Sequence, residues 1–229
     1  MDKWEGKRVL MIGAARQGVA LTQYLAKQGA EVILNDRRPE EELVEARQNL
    51  AEWDFTWVTG SHPIEILDDI DIVCLSGGIP MGLPIVQSAI QRNIPLSNDS
   101  QIFLEAAPCP VIGITGSAGK TTTTALVGEI AKRHFEFKKP DNQVWVGGNI
   151  GNPLIQDIDK MQDEDIAVME LSSFQLEIMT LSPHIAAILN LTPNHLDRHG
   201  TMAKYISAKS NILTHQSPED IAVLNRDDF

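Results

Sequence analysis

Cysteine is almost missing from this chain: Cys74 and Cys109 are the only two among 229 residues. They show no metal spacing, so both are expected to be reduced core thiols of a cytoplasmic protein. Long apolar runs are missing too. The opening MDKWEGKRVLMIGAARQG has a short apolar stretch broken by Gly and Arg, which fits neither a signal peptide nor a membrane span. Positive charge is in deficit, with 19 Lys and Arg against 31 Asp and Glu and a formal net charge of -12. That disfavours a nucleic-acid surface, because phosphate backbones call for Lys and Arg. It leaves room for a nucleotide, which needs only a local nest of N–H groups and one or two cations. No internal repeat or low-complexity tract occurs. What is present is ordinary for a globular protein, with 43% hydrophobic and 22% charged residues.

The first third alternates strands and helices. RVLMIG (8–13) is an apolar run ending in Gly, VALTQYLAKQG (19–29) has helical periodicity with a Gly stop, and AEVILND (30–36) is a second strand. IDIVCLSGG (70–78) and IPLSND (94–99) are further strands, with LPIVQSAIQRN a helix between them. This rhythm predicts an α/β fold whose first domain, 1–107, is a Rossmann-like, doubly wound parallel sheet. AAPCP (106–110) breaks the pattern with two prolines. A second α/β domain, 108–229, begins at VIGITG and continues with a helix from Lys120. Strands are expected at 144–148, 166–171, 185–192 and 221–225. This is a P-loop, ATPase-type central domain. The chain stops just past a strand, so that domain is expected to be truncated.

The first chemical candidate is GAARQG, Gly13 to Gly18, at a strand–helix turn. It is close to the dinucleotide fingerprint G-x-G-x-x-G, but Ala15 replaces the glycine that lets backbone approach a pyrophosphate. Asp36 ends the next strand, where a ribose-binding acid belongs. Three explanations stand: a plain tight turn, an NAD site, or another diphosphate at the helix N-terminus. The second candidate is TGSAGKTTTT after the strand VIGI. The common P-loop G-x-x-x-x-G-K-[ST] would need glycine at 114, which is Ile; the glycines are Gly113, Gly116 and Gly119. Strand, Gly-rich loop and helix still follow in the right order. Gly116 and Gly119 allow positive φ, Lys120 supplies a cation, and the Thr121 hydroxyl reaches Mg²⁺.

Glu170 follows four apolar residues in IAVMELSSFQLE, at the carboxyl end of a buried strand, where open α/β sheets bind ligands. A carboxylate there meets Mg²⁺ or caps the next helix. In NLTPNHLDRHG (190–200), His195, Asp197 and His199 alternate, but Pro193 makes the segment a loop and no further ligand completes a zinc site. One functional His, with Asp197 and His199 as supporting or surface groups, is the simpler reading. TMAKYISAKSNIL (201–213) is an amphipathic helix whose apolar face carries Met202, Tyr205, Ile206, Ile212 and Leu213, and Lys209 falls on that face. Lys209 either snorkels to water or is buried. A buried lysine loses pKa by up to about 3–5 units, and the neutral amine can add CO₂ to become a carbamate.

Taken together, GITGSAGKTTTT, GGNIGNP (147–153), ELSSFQLE (170–177), ILNLTPNHLDRHG (188–200) and the YISAK lysine resemble the Mur ligase family of ATP-dependent amino-acid ligases. The resemblance covers the whole chain, and ELSSFQLE is most like the branch that adds D-glutamate. That family's loop is G-x-x-G-K-[ST], so Ile114 is regular there. The resemblance implies the following roles. Gly116, Ser117, Ala118, Gly119, Lys120, Thr121 and Thr122 hold ATP. Thr121 and Glu170 ligate a first Mg²⁺, and His195 with carbamylated Lys209 a second. Asn149, Ser172 and His195 approach the UDP-N-acetylmuramoyl-L-alanine substrate. Arg16, Gln17, Asp36, Arg37 and Ser76, Gly77 and Gly78 contact its uridine diphosphate, although ARQG departs from the family's small-residue version. It further implies a cytoplasmic monomer, an acyl-phosphate intermediate and a third, amino-acid-binding domain absent from this chain, which leaves the piece inactive by itself.

Three rivals remain. A P-loop GTPase would use DRHG (197–200) and NRDD (225–228), but Asp197 lies several residues past its strand. A non-enzymatic nucleotide module needs no Glu170, His195 and Lys209 together. An NAD dehydrogenase leaves the second half unexplained.

Overall fold

The run RVLMI forms strand β1 (Arg8–Ile12), and Val9 to Ile12 are almost completely buried. A strand apolar at consecutive positions is covered on both faces, as a parallel sheet between helices requires. The computed structural model describes residues 3–138 and 140–227. These fall into two compact units, Met1–Asp99 and Ser100–Phe229. In the first, β1 is followed by α1 (Arg16–Lys27), β2 (Glu31–Asp36), α2 (Val44–Asn49), β3 (Thr56–Thr59), β4 (Ile72–Leu75), α3 (Pro84–Gln91) and β5 (Leu96–Ser97). All strand pairs are parallel, in the order β3-β2-β1-β4-β5. β1 therefore sits where the winding reverses. The turn after it opens at the switch point of a doubly wound sheet.

Helix α4 (Asp99–Ala106) begins the second unit, which continues with β6 (Val111–Thr115), α5 (Lys120–Lys138), β7 (Val144–Gly148) and β8 (Ile166–Glu170). After these come α6 (Ser173–Leu176), β9 (Ile185–Ile188), α7 (Leu196–His199), α8 (Met202–Thr214) and β10 (Ile221–Leu224). This sheet is also parallel, in the order β10-β9-β6-β8-β7. Ile114, Val168 and Ala187 pack its centre. β6 takes the switch position, with Ile114 beside Glu170 on one flank and Thr115 beside Ile188 on the other. Among the described residues no helix is long and apolar enough to cross a membrane.

The α/β fold with two parallel sheets is as the sequence predicts. The short elements α2, β3 and α4, which give little periodic signal, are additional, as is α7 in the segment read as a loop. β9 ends at Ile188 rather than 192: Leu189 N–H still reaches Thr115 O at the end of β6, but Asn190 and Thr192 bond to Ser117 and Ala118 in the loop that follows instead of extending the ladder.

Candidate active site

In the first unit, Gly13 N–H donates to Asn35 O at 2.7 Å, and Ala14 N–H to Asp36 Oδ2 at 2.8 Å, so the turn after β1 is tied to the end of β2. Asp36 is buried and accepts three more bonds from Arg38: N–H at 2.9 Å, Nε at 3.0 Å and Nη2 at 2.8 Å. Burial works to raise its pKa, but the Arg38 bonds and the Ala14 N–H overcome that and hold it at about 2. Both oxygens are thus committed to the protein's own turn rather than left open to a ribose. Gln17 Oε1 accepts Gly77 N–H at 3.2 Å, which joins the start of α1 to the Ser76–Gly78 loop. Ser76 is buried; Arg16, Arg37 and Gly78 are exposed at the same end of the sheet. The arginine that engages Asp36 is Arg38. Charge at the strand end was legible, but nothing in RR distinguishes the two side chains.

The phosphate loop closes the second sheet at its switch point. Gly119 has φ +79°, whereas Gly116 is not in the left-handed region, contrary to expectation; it sits close against Leu189 instead. Thr121 and Thr122 lie in the first turn of α5, whose leading N–H groups lack partners within the helix and suit an anion. Lys120 Nζ folds back to Gly116 O at 3.0 Å. Glu170, 1% exposed, accepts from Thr121 Oγ1 and from Asn149 Nδ2, each at 2.8 Å. Asn149 N–H also donates to Glu170 O at 2.9 Å. A buried carboxylate requires such donors, since desolvation otherwise costs several kcal/mol by an order-of-magnitude estimate.

Lys209 is also 1% exposed, so it does not snorkel. Its Nζ donates to Gly116 O at 2.9 Å and Thr115 Oγ1 at 3.1 Å. Burial pulls its pKa from 10.5 to about 7; the nearby Lys120 cation pulls the same way and Glu170 opposes. Lys209 shares its buried face with Tyr205, Ala208 and Ile212, whereas Ile206 is exposed because the face turns toward Ala208.

His195 begins α7 in a left-handed conformation, φ +52°, with its N–H held by Asn194 Oδ1 at 2.9 Å. Its ring meets the edge of Phe174, and the His199 ring stacks on Phe174 at 5.2 Å. His199 is no surface group: it is buried, with Nε2 2.9 Å from Ser173 Oγ. Burial, together with His195, Lys209 and Arg198, holds its pKa below the usual histidine value against the pull of Glu177. Asp197 stays exposed. Among the described residues no three His, Cys, Asp or Glu side chains are grouped to hold a metal. Ser172 caps α6 in a reciprocal box with Gln175. Asn190, absent from the sequence reading, grips Ala118; no spacing rule marks a lone Asn after an apolar run.

A parallel α/β unit with a phosphate loop and a buried carboxylate on the adjacent strand defines the P-loop class. Residues 7–98 match the Mur ligase MurD-like N-terminal domain, and residues 114–229 match the Mur ligase middle domain. The chain belongs to the Mur ligase family. The ligase class, with ATP and Mg²⁺, is that of the family. Among curated relatives, the UDP-N-acetylmuramoylalanine–D-glutamate ligase of Symbiobacterium thermophilum is 42% identical over 97% of this chain and 48% of its own length. The corresponding ligase of Clostridioides difficile is 43% identical over 98% of this chain and 49% of its own. The chain thus spans about half the length of the curated relatives it matches. A murein peptide ligase structure from Psychrobacter arcticus shares the fold, with a TM-score of 0.55 at 15% identity over 97% of this chain and 50% of that one.

Proposed function

We propose that this chain supplies the N-terminal and central parts of an ATP-dependent ligase that joins D-glutamate to UDP-N-acetylmuramoyl-L-alanine in peptidoglycan synthesis, in the cytoplasm and as a monomer. The observation that carries the reading is the phosphate loop facing a buried carboxylate, Thr121 Oγ1 2.8 Å from Glu170. Those oxygens fit a hard divalent cation. Thr121 and Glu170 would hold one Mg²⁺, and His195 with Lys209 a second once Lys209 carries a carbamate. That carbamate forms when the neutral amine adds CO₂ and releases a proton. Bound Mg²⁺ supplies charge neutralisation at the phosphates.

The substrate carboxylate attacks the γ-phosphorus, forming a new O–P bond as the bond to ADP breaks. The amine of D-glutamate then attacks the acyl carbon, and phosphate and a proton leave. Lys120 and the loop from Gly116 to Thr122 hold the transferring phosphoryl group. Asn149, Ser172 and His195 orient the muramoyl end, Arg16, Gln17, Arg37 and Ser76–Gly78 hold the uridine diphosphate, and Asp36 serves that site by fixing the turn through Ala14 and Arg38. Arg38 already neutralises Asp36. A third domain beyond this chain would bring D-glutamate. The test is phosphate release from ATP with UDP-N-acetylmuramoyl-L-alanine and a panel of amino acids, on the whole protein and on this chain. Release with D-glutamate alone supports the proposal. Release with another amino acid moves the assignment to a sister ligase, and none from the whole protein overturns it.

A further inference from the structure

The segment after β9 is stitched to the end of β6 and to the phosphate loop at Leu189, Asn190 and Thr192. Leu189 N–H donates to Thr115 O at 3.0 Å, and Ser117 N–H to Asn190 O at 2.9 Å. Ser117 Oγ donates to Thr192 O and accepts Thr192 N–H, both at 2.9 Å. Between these, the Asn190 side chain takes Ala118 at both backbone groups: Oδ1 accepts Ala118 N–H at 2.9 Å and Nδ2 donates to Ala118 O at 3.0 Å. The two bonds fix the orientation of the carboxamide, since an amide turned over would face donor to donor and acceptor to acceptor.

We propose that Asn190 is a positioning residue of the phosphate loop, clamping Ala118 so that only part of the loop presents its amides to a nucleotide phosphate. The proposal rests on the ATP reading above. With the Ser117 and Ala118 N–H groups turned to the strap, the anion nest comprises the amides from Gly119 to Thr122 together with Lys120. This also bears on Ile114. β6 continues in register through Thr115, which leaves a short loop at whose apex the Asn190 clamp acts. The same segment leads to His195, so the clamp sets the starting point of the His195 loop as well.

The experiment uses this 229-residue chain with Asn190→Ala and Asn190→Asp, and reads amide hydrogen exchange by NMR alongside MgATP affinity. In Asn190→Ala the Ala118 amide exchanges about tenfold faster, the size of one lost hydrogen bond. The Ser117 amide, held by the Asn190 backbone, keeps its rate. ATP affinity falls by about tenfold for the same reason. Asn190→Asp keeps an acceptor for the Ala118 N–H but loses the donor and adds negative charge. It therefore retains Ala118 protection while binding ATP more weakly, in a way that added salt partly reverses. Wild-type Ala118 exchange and wild-type ATP affinity in Asn190→Ala overturn the proposal. If that variant does not fold, wild-type ATP affinity in Asn190→Asp overturns it equally. A wild-type chain that binds no MgATP, with the Ala118 exchange pattern as expected, overturns the ATP reading while the clamp stands.

Discussion

Lys209 places its amine where water does not reach, and burial carries its pKa down to about 7. In the unfolded chain the same amine titrates near 10.5. Between those values the unfolded chain binds a proton that the folded chain refuses, so stability rises as pH climbs from 7 toward 10. Lys209→Met removes that slope, so in urea melts across this range the difference between wild type and variant grows with pH. The proposed carbamate makes a separate demand. Lys209→Ala should abolish ligase activity in the whole protein with little loss of stability, and short carboxylic acids should restore part of it. Full activity in Lys209→Arg would falsify the carbamate, since a guanidinium cannot become an anion. Lys120 differs from Lys209 in that its amine lies on the loop surface against Gly116 O. Lys120→Ala should therefore cost ATP binding but leave circular dichroism and melting unchanged.

At the scale of elements, β7 ends in Gly148, which has φ +103° and whose missing Cβ would fall 2.5 Å from Glu170 O. Gly148→Ala must both adopt a left-handed backbone and push the strand carrying Glu170. It should cost roughly 2–4 kcal/mol in urea unfolding and weaken Mg²⁺-dependent nucleotide binding. Much of this architecture was legible because its strands are apolar without interruption and its helices start after Gly-rich turns. Glu170 stands out because four apolar residues lead straight into it, and Lys209 because a cation falls on an apolar helical face. α4 was hidden because it is short and runs up to Pro108 and Pro110, which marked only the break between two domains. The true limit of β9 was hidden because Leu189 to Thr192 look like strand. The hydrogen bonds of Asn190 and Thr192 to the loop after β6 are long-range and leave no local pattern. For the same reason Asn190 and the buried side of His199 were invisible: both are set by partners many residues away.

For the molecule as a whole, the two units are expected to titrate alike in acid. His62 in the first and His199 in the second have pKa values lowered chiefly by burial. Each then favours the fold above the ordinary histidine range and withdraws that support as pH falls through and below it. Melting temperatures should drop between pH 7 and 5, and His199→Asn should reduce the drop. Calorimetry on residues 1–107 should detect the UDP-muramoyl substrate and no NAD, because the Asp36 carboxylate already has four donors. NAD binding there would sink the uridine assignment. The sheet order sets one more condition, on the route to the native state. β6 is central in its sheet yet is made before both of its neighbours, and Ile112 has to wait for Ile185. Every pairing is parallel, so no hairpin can form early to guide the rest. On the ribosome the phosphate loop and α5 therefore emerge without a surface to fold against. The second unit should gain protease resistance in one late step, when β9 leaves the exit tunnel.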